Sequence, residues 1–211
     1  MRGATPIQYI DRQQSGEKIF VRYEAGLLAH HRLDSAGRSA IAKSDLMMTT
    51  FYNDVSGFIE SIMTSPSQGL RACDFGALVG IDDPLSLIHR YVNQLNVAFF
   101  GLTIDDHERI QAIENIATQS QCLFIITLAE CGGMAFKGKQ RFHFDAVQVD
   151  EVVDSTGAGD TFAAGFLSDY VYSGAIESSL DSGARAAASA LARVGAFAAP
   201  SIAWTQPSGH R

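Results

Sequence analysis

The sequence is short of cysteine, of positive charge and of long apolar runs. Its three cysteines, Cys73, Cys122 and Cys131, lack C-x-x-C spacing, which fits neither a disulfide framework nor a zinc site. Sixteen Lys and Arg stand against 23 Asp and Glu, a net charge of −7 with no basic cluster, which disfavours binding to nucleic acid. The apolar stretches are shorter than the roughly 20 residues of a membrane helix or are interrupted by Arg193. We therefore predict reduced thiols and neither a nucleic-acid nor a membrane partner.

The residues that are present predict a folded globular protein. A chain of 211 residues with 46% hydrophobic content can bury one sizeable core, which excludes a disordered chain. The N-terminus turns polar at once, without the apolar core of a secretory signal. We therefore expect a cytoplasmic location.

Short apolar runs alternate with amphipathic segments through the middle of the chain. The apolar runs, which predict strands, cover 46–51, 70–75, 97–100 and 123–128. The amphipathic segments, which predict helices, cover 55–63, 84–95 and 105–118. This order is typical of βαβ units that build a parallel sheet with helices on its faces.

Further elements are expected on both sides of this alternation. Residues 6–11 and 18–23 predict an antiparallel hairpin, and residues 131–137 and 141–147 predict a second hairpin at the edge of the sheet. After Gly157 the pattern predicts helices with breaks near Gly174 and Gly183. We expect three regions, namely a small β flap over 1–30, an α/β core over 31–199 and a disordered tail over 200–211.

A glycine-rich turn near residue 157 leads from a β-branched run into a helix. Without a Cβ atom at Gly157 and Gly159, the backbone can turn sharply and aim successive N–H groups at one point. The positive end of the following helix dipole adds to them, so the turn predicts an anion site. A carboxylate at Asp160 would repel a bound phosphate unless it accepts a proton, as a general base for an attacking hydroxyl does.

Two commoner phosphate-binding motifs are excluded at this turn. A Walker loop needs Lys and then Ser or Thr after its last glycine, where Asp160 and Thr161 stand, and a dinucleotide fingerprint needs glycine at Phe162. The remaining alternative is a glycine-rich helix start in which Asp160 only caps the helix.

The string Asp154-Ser155-Thr156-Gly157-Ala158-Gly159-Asp160 resembles the signature of the PfkB, or ribokinase-like, carbohydrate kinases. That signature reads Asp-Thr-x-Gly-Ala-Gly-Asp, and Ser155 replaces its Thr. The resemblance implies a ribokinase-like fold, Asp160 as catalytic base, and an anion hole formed by the amides of Gly157, Ala158 and Gly159. It also implies a monovalent-cation site, for K⁺, at Asp154 and Thr156.

The resemblance extends upstream of this signature. Residues 127–132 are similar to the family's nucleotide-contacting Thr-Leu-Gly-x-x-Gly, which implies that Thr127, Ala129 and Gly132 contact ATP, with Ala129 in place of a glycine. The family's Asn-x-x-Glu element, which organises Mg²⁺, is expected after the strand 97–100. Asp105 lies there without an Asn, so Asp105 is the candidate metal ligand and helix capping by this acidic pair is its alternative.

The resemblance starts at the flap, so we expect the sugar-holding first βα region of such kinases to precede Met1. Several short segments look most like fructoselysine kinases, while fructokinase, ribokinase and ketodeoxygluconate kinase stay open. The main hypothesis is transfer of the γ-phosphoryl group of ATP, with Mg²⁺, to a sugar hydroxyl. The alternative is a truncated, non-catalytic remnant that binds nucleotide or forms a homodimer through the flap. For the chain alone we expect little sugar phosphorylation.

Overall fold

The structure is a computed structural model that describes residues 3–12, 18–78 and 80–196. It divides into two compact units, Met1–His143 and Phe144–Arg211, each of which is described by itself. The expected tail over 200–211 lies outside the described residues, and the division between flap and core at residue 30 stays a prediction.

The strands and helices of the described residues follow the expected alternation. The strands are β1 (Ile7–Arg12), β2 (Lys18–Glu24), β3 (Leu46–Thr50), β4 (Leu70–Asp74), β5 (Val97–Gly101), β6 (Leu123–Thr127), β7 (Gly133–Lys137) and β8 (Gln140–Phe144). The helices are α1 (Ser35–Lys43), α2 (Ser56–Met63), α3 (Pro84–Tyr91), α4 (His107–Thr118), α5 (Ala158–Ser173) and α6 (Ile176–Leu191). None of these helices is long and apolar enough to cross a membrane.

The strands form a two-stranded flap and a six-stranded sheet. β1 and β2 pair antiparallel, which confirms the first hairpin. The large sheet has the order β3-β4-β5-β6-β7-β8, with β3 to β6 parallel and β7 antiparallel to β6. The second hairpin is therefore at one edge of this sheet, as predicted, and the mixed α/β fold is confirmed.

A row of four stacked phenylalanines crosses the sheet. Phe51 and Phe75 follow β3 and β4, and Phe100 and Phe124 lie within β5 and β6. Neighbouring ring centroids are 6.2, 5.4 and 5.7 Å apart, which is the distance range of favourable aromatic pairs. Phe100 and Phe124 are fully buried. The row therefore ties the four parallel strands together on one face.

At the opposite end of the strands, Arg71 closes the C-terminus of α2. Its guanidinium donates to the carbonyl oxygens of Ile62 and Met63 and, at 2.6 Å, to that of Ser65. These carbonyls carry the negative end of the helix dipole and so stabilise a positive charge. Burial lowers the pKa of Arg71.

Two of the three cysteines are buried beside this core. Cys73 and Cys122 are buried and Cys131 is exposed, and all three are free. Burial raises the pKa of Cys122 to about 12 and, together with nearby negative charge, raises that of Cys73 further. Both buried thiols therefore stay protonated at neutral pH.

The second unit is built on a hairpin of two long helices. Gly174, at φ +64°, ends α5, as the sequence predicts. The predicted break at Gly183 is wrong, because α6 continues through it. A Cβ at Gly183 would lie 3.0 Å from the ring of Phe162, and one at Gly165 would lie 2.6 Å from the Cβ of Ala186. These glycines therefore allow the two helices to pack closely.

The connection between α5 and α6 is fastened by one carboxylate. Asp169 of α5 accepts hydrogen bonds through Oδ2 from the hydroxyls of Ser179 at 2.7 Å, Ser178 at 3.1 Å and Ser173 at 3.4 Å. These bonds, that of Ser179 above all, lower the pKa of Asp169, because they favour the charged carboxylate. The carboxylate therefore links the end of one helix to the start of the next.

We expect Asp169 to make the stability of the protein depend on pH. Its folded pKa lies below the unfolded value of about 3.9, so its contribution is present above that value and is lost as the pH falls through the folded pKa. Asp169→Asn should lower the melting temperature at pH 7 and progressively less in acid, which thermal unfolding between pH 7 and pH 2.5 measures. Asp181→Asn, at an exposed position of α6, is the matched control. A constant difference at every pH would contradict the expectation.

Candidate functional site

The glycine-rich turn before α5 is held in place by Asp154. Its Oδ1 accepts hydrogen bonds from the backbone amide of Thr156 at 2.8 Å and from the Thr156 hydroxyl at 2.7 Å. Its Oδ2 accepts a hydrogen bond from the amide of Gly195 at 3.1 Å. The amide of Val153 donates to the carbonyl of Leu191 at 2.9 Å. The turn is thus fixed both within itself and to the end of α6.

Gly157 is required by the fold at this turn. Its φ is +77°, in the left-handed region that side chains disfavour, and a Cβ there would lie 2.8 Å from the Cβ of Ala196. Its carbonyl accepts from the amide of Thr161 at 2.8 Å and from the Thr161 hydroxyl at 2.7 Å. These bonds start α5 directly after the turn.

The first turn of α5 leaves amide donors open. The amides of Gly157, Gly159 and Asp160 donate no hydrogen bond within the described part of the chain, whereas that of Ala158 donates to the Ser155 carbonyl at 3.3 Å. A Cβ at Gly159 would meet nothing within 4 Å, so no described residue fills the space in front of it. Together with the dipole of a 16-residue helix, these donors can hold an anion.

Asp160 lies in the same first turn as these donors. Its side chain is exposed and forms no hydrogen bond or ion pair with any residue that the structure describes. The N-cap position belongs to Gly157, and no side chain caps it, so the alternative that Asp160 caps this helix is not observed. The carboxylate is therefore able to accept a proton beside a bound anion.

In the first unit, Thr127 ends β6 and a tight loop follows it. The amide of Leu128 donates to the carbonyl of Gly132 at 2.8 Å, which closes the loop. Gly132 has φ +74° and ψ −118°, a conformation open only to glycine. Ala129 has φ +51°, which costs a residue with a side chain about 1–2 kcal/mol. The loop therefore keeps the shape that a glycine at position 129 would adopt without strain.

The acidic pair after β5 has two different environments. Oδ2 of Asp106 accepts from the amide of Thr103 at 2.9 Å and from its hydroxyl at 2.8 Å, and these bonds lower the pKa of Asp106. Oδ1 of Asp106 lies 3.4 Å from the guanidinium of Arg109. Asp105 is exposed and forms no such bond with the described residues.

The metal-ligand prediction therefore rests on Asp105 alone. Among the described residues, no group of three or more His, Cys, Asp or Glu side chains could hold a metal ion. Mg²⁺ is usually held by one or two carboxylates together with water and substrate phosphates, and an exposed Asp105 fits that use. The role of Asp105 stays a prediction.

The predicted site residues fall into two groups. Six of them lie in one turn of the second unit, namely Asp154, Thr156, Gly157, Ala158, Gly159 and Asp160. Four lie at or after the ends of neighbouring strands of the first unit, namely Asp105, Thr127, Ala129 and Gly132. Sequence reasoning missed Leu191 and Gly195, which support the turn through backbone hydrogen bonds. The available signal was Gly195 itself, a glycine shortly after the end of α6.

Residues 96–202 match the sequence profile described as pfkB family carbohydrate kinase. The chain belongs to the PfkB family. It is 27% identical over 151 residues to the fructoselysine 6-kinase of Escherichia coli, a match that covers 72% of this chain and 55% of that protein. It is 25% identical over 199 residues to the fructosamine kinase FrlD of Bacillus subtilis, covering 92% of this chain and 67% of that one. The chain thus spans little more than half the length of the fructoselysine 6-kinase.

Solved structures show the same fold. A ribokinase from Thermotoga maritima superimposes with a TM-score of 0.72 at 18% identity, covering 93% of this chain and 66% of that one. A probable sugar kinase from Rhizobium etli gives a TM-score of 0.70 at 20% identity, covering 91% and 62%. The predicted ribokinase-like fold is therefore confirmed.

Proposed function

We propose that this PfkB chain transfers the γ-phosphoryl group of ATP to a hydroxyl group of a sugar. The observation that carries the proposal is the first turn of α5, where open amides at Gly157 and Gly159 lie beside the exposed carboxylate of Asp160. An anion site alone would be served better by a neutral or positive residue at position 160. A carboxylate there is useful when a hydroxyl must lose its proton next to a phosphate.

In the proposed reaction, Asp160 accepts the proton of the sugar hydroxyl as its oxygen bonds to the γ-phosphorus. The bond from that phosphorus to the β,γ-bridging oxygen breaks, and ADP leaves with the bonding electrons. The open amides of the turn stabilise the charge on the transferred group. Mg²⁺, when bound, supplies further charge neutralisation at the phosphates, and Asp105 would hold it. Asp154 and Thr156 would serve a monovalent cation such as K⁺ and shape the turn.

Fructoselysine or a related ketose derivative is the proposed acceptor. Support comes from the similarity to a fructoselysine 6-kinase and a fructosamine kinase. Nucleotide contact by Thr127, Ala129 and Gly132 is supported by the tight loop after β6.

A second candidate is a non-catalytic, self-associating form of the same fold. The flap favours it, because Ile7, Ile10 and Val21 are 41%, 44% and 62% exposed on only two strands. Such a protein would bind ATP without releasing ADP when a sugar is added, which separates the two candidates.

We expect Gly159→Leu to weaken ATP binding by about 10- to 100-fold, since a hydrogen bond to a charged group contributes about 1.5–3 kcal/mol. The added side chain would extend from the first turn of α5, where a Cβ meets no described residue outside its own helix within 4 Å, and should hinder the approach of a phosphate to the amides. Isothermal titration with Mg-ATP measures the affinity, and thermal unfolding checks that the variant folds.

Ala164→Leu is the matched control, because it adds similar bulk at an exposed position of the same helix. It should bind ATP as the unaltered chain does. Equal affinity in the chain and in Gly159→Leu would remove the turn from the proposal.

A further inference from the structure

Two tyrosines stack on each other where the flap meets the end of β3. The rings of Tyr23, in β2, and Tyr52, just after β3, have centroids 5.4 Å apart and planes only 14° from parallel. Tyr23 is partly buried against the core of the first unit. Tyr52 is 48% exposed, so this aromatic pair offers a surface to a ligand.

A carboxylate follows Tyr52 by two residues, in the next turn of the chain. Asp54 is exposed in the short 3-10 turn Asn53–Val55, and it forms no hydrogen bond or ion pair with the residues that the structure describes. The pKa of Tyr23 is raised mainly by burial and, to a smaller extent, by the negative charge of Asp54. The carboxylate and the phenol therefore interact electrostatically. Arg22 of the flap forms an ion pair with Glu24 at 2.6 Å, and its guanidinium lies over the ring of Tyr9. Arg22 therefore does not pair with Asp54.

The backbone holds this group at the carboxyl end of the parallel strands. The amide of Phe51 donates to the carbonyl of Asp74 at 2.8 Å, which continues the pairing of β3 with β4 past the strand end. The side-chain amide of Asn53 donates to the carbonyl of Gly80 at 3.2 Å. Ligands of open α/β sheets bind outside this end of the strands. Tyr52 and Asp54 are therefore fixed where an acceptor substrate would be expected.

We propose that Tyr23, Tyr52 and Asp54 form a binding site for a protonated amine carried by the acceptor. A cation is attracted to the face of an aromatic ring and to a carboxylate, and this group offers both. A neutral sugar would leave Asp54 without a partner, and a phosphate would be repelled by it. The inference rests on the proposed sugar-kinase function and names the residues that would bind the amine of such an acceptor.

Isothermal titration with two matched ligands tests the proposal. The ligand 1-amino-1-deoxyfructose carries a protonated amine where fructose carries a hydroxyl. The chain should bind the amine about tenfold more tightly than fructose, as expected for a cation at partly exposed aromatic and carboxylate groups. Asp54→Asn and Tyr52→Leu should each reduce this preference, measured as the ratio of the two affinities. Tyr52→Phe keeps the aromatic face and should keep the preference.

Asp45→Asn is the control for charge, because Asp45 is an exposed carboxylate at the amino end of the same strand. It should alter neither affinity. Equal affinity for the two ligands, no binding of the amine, or an unchanged preference in Asp54→Asn would overturn the proposal. Because the measurement needs neither ATP nor turnover, its result is separate from the ATP titration that tests the proposed kinase function.

Discussion

In an active protein that contains this chain, Asp160→Asn is expected to lower sugar-dependent ADP release by roughly two to four orders of magnitude, the range for the loss of a positioned general base. The amide side chain keeps the shape of the carboxylate but cannot accept the hydroxyl proton. No described residue forms a hydrogen bond with the Asp160 side chain, so the substitution breaks no hydrogen bond within the described part of the chain. ATP affinity should therefore be kept or should rise, because the asparagine no longer repels the phosphates. A coupled ADP-release assay with fructoselysine, run beside an ATP titration, measures both quantities.

Asp181→Asn controls for the change in net charge, because Asp181 is another exposed carboxylate of the second unit. Its turnover should match that of the unaltered chain. Near-normal turnover in Asp160→Asn would mean that this carboxylate is not the base. Absence of sugar-dependent ADP release from a longer protein that contains the unaltered chain, with ATP bound, would favour the non-catalytic candidate.

The second large effect is expected in the core. Phe100→Ala should lower the free energy of unfolding by about 3–5 kcal/mol, the usual cost of truncating a buried phenylalanine. Phe100 is 1% exposed and stacks on Phe75 on one side and on Phe124 on the other, so the cavity would interrupt the aromatic row at its middle. Since the free energy of unfolding of a whole domain is only about 5–15 kcal/mol, this loss would be a large fraction of it.

Urea unfolding followed by circular dichroism measures this loss. Tyr172→Ala is the control, because Tyr172 is 90% exposed and its truncation should cost little. Phe100→Leu, which refills most of the space without a ring, should fall between the two. A loss below about 1 kcal/mol in Phe100→Ala would show that the surrounding side chains collapse into the space.

The alternation of strands and helices could be predicted because its signals are local. Apolar runs and amphipathic periodicity placed every strand of the sheet within a few residues. Helix α1 was not predicted, because it buries none of its residues and so carries no apolar face. It begins at a cap formed by Asp34, whose carboxylate accepts a hydrogen bond from the amide of Gly37. Helix α4 begins at His107, two residues later than the predicted start at residue 105. The reason is that the carboxylate of Asp106 accepts a hydrogen bond from the amide of Thr103 before the helix begins.

The site could be predicted as far as its residues are neighbours in sequence. The string from Asp154 to Asp160 forms one turn in the structure, as its glycines suggested. The supports at Leu191 and Gly195 could not be predicted, because they depend on how α6 returns to the turn. The predicted helix break at Gly183 was wrong for a similar reason. Only the packing of α6 against Phe162 shows why that position lacks a side chain.

The bond from Asp154 to Gly195 joins two positions that are 41 residues apart in the chain. With the α5–α6 connection fastened by Asp169, the helical hairpin is tied at both of its ends. The open amides therefore lie at the start of a helical hairpin that is already held in place before any ligand binds. An anion that binds there would lose little free energy to the ordering of the protein. Its affinity should then be governed mainly by charge, and should fall as the salt concentration rises.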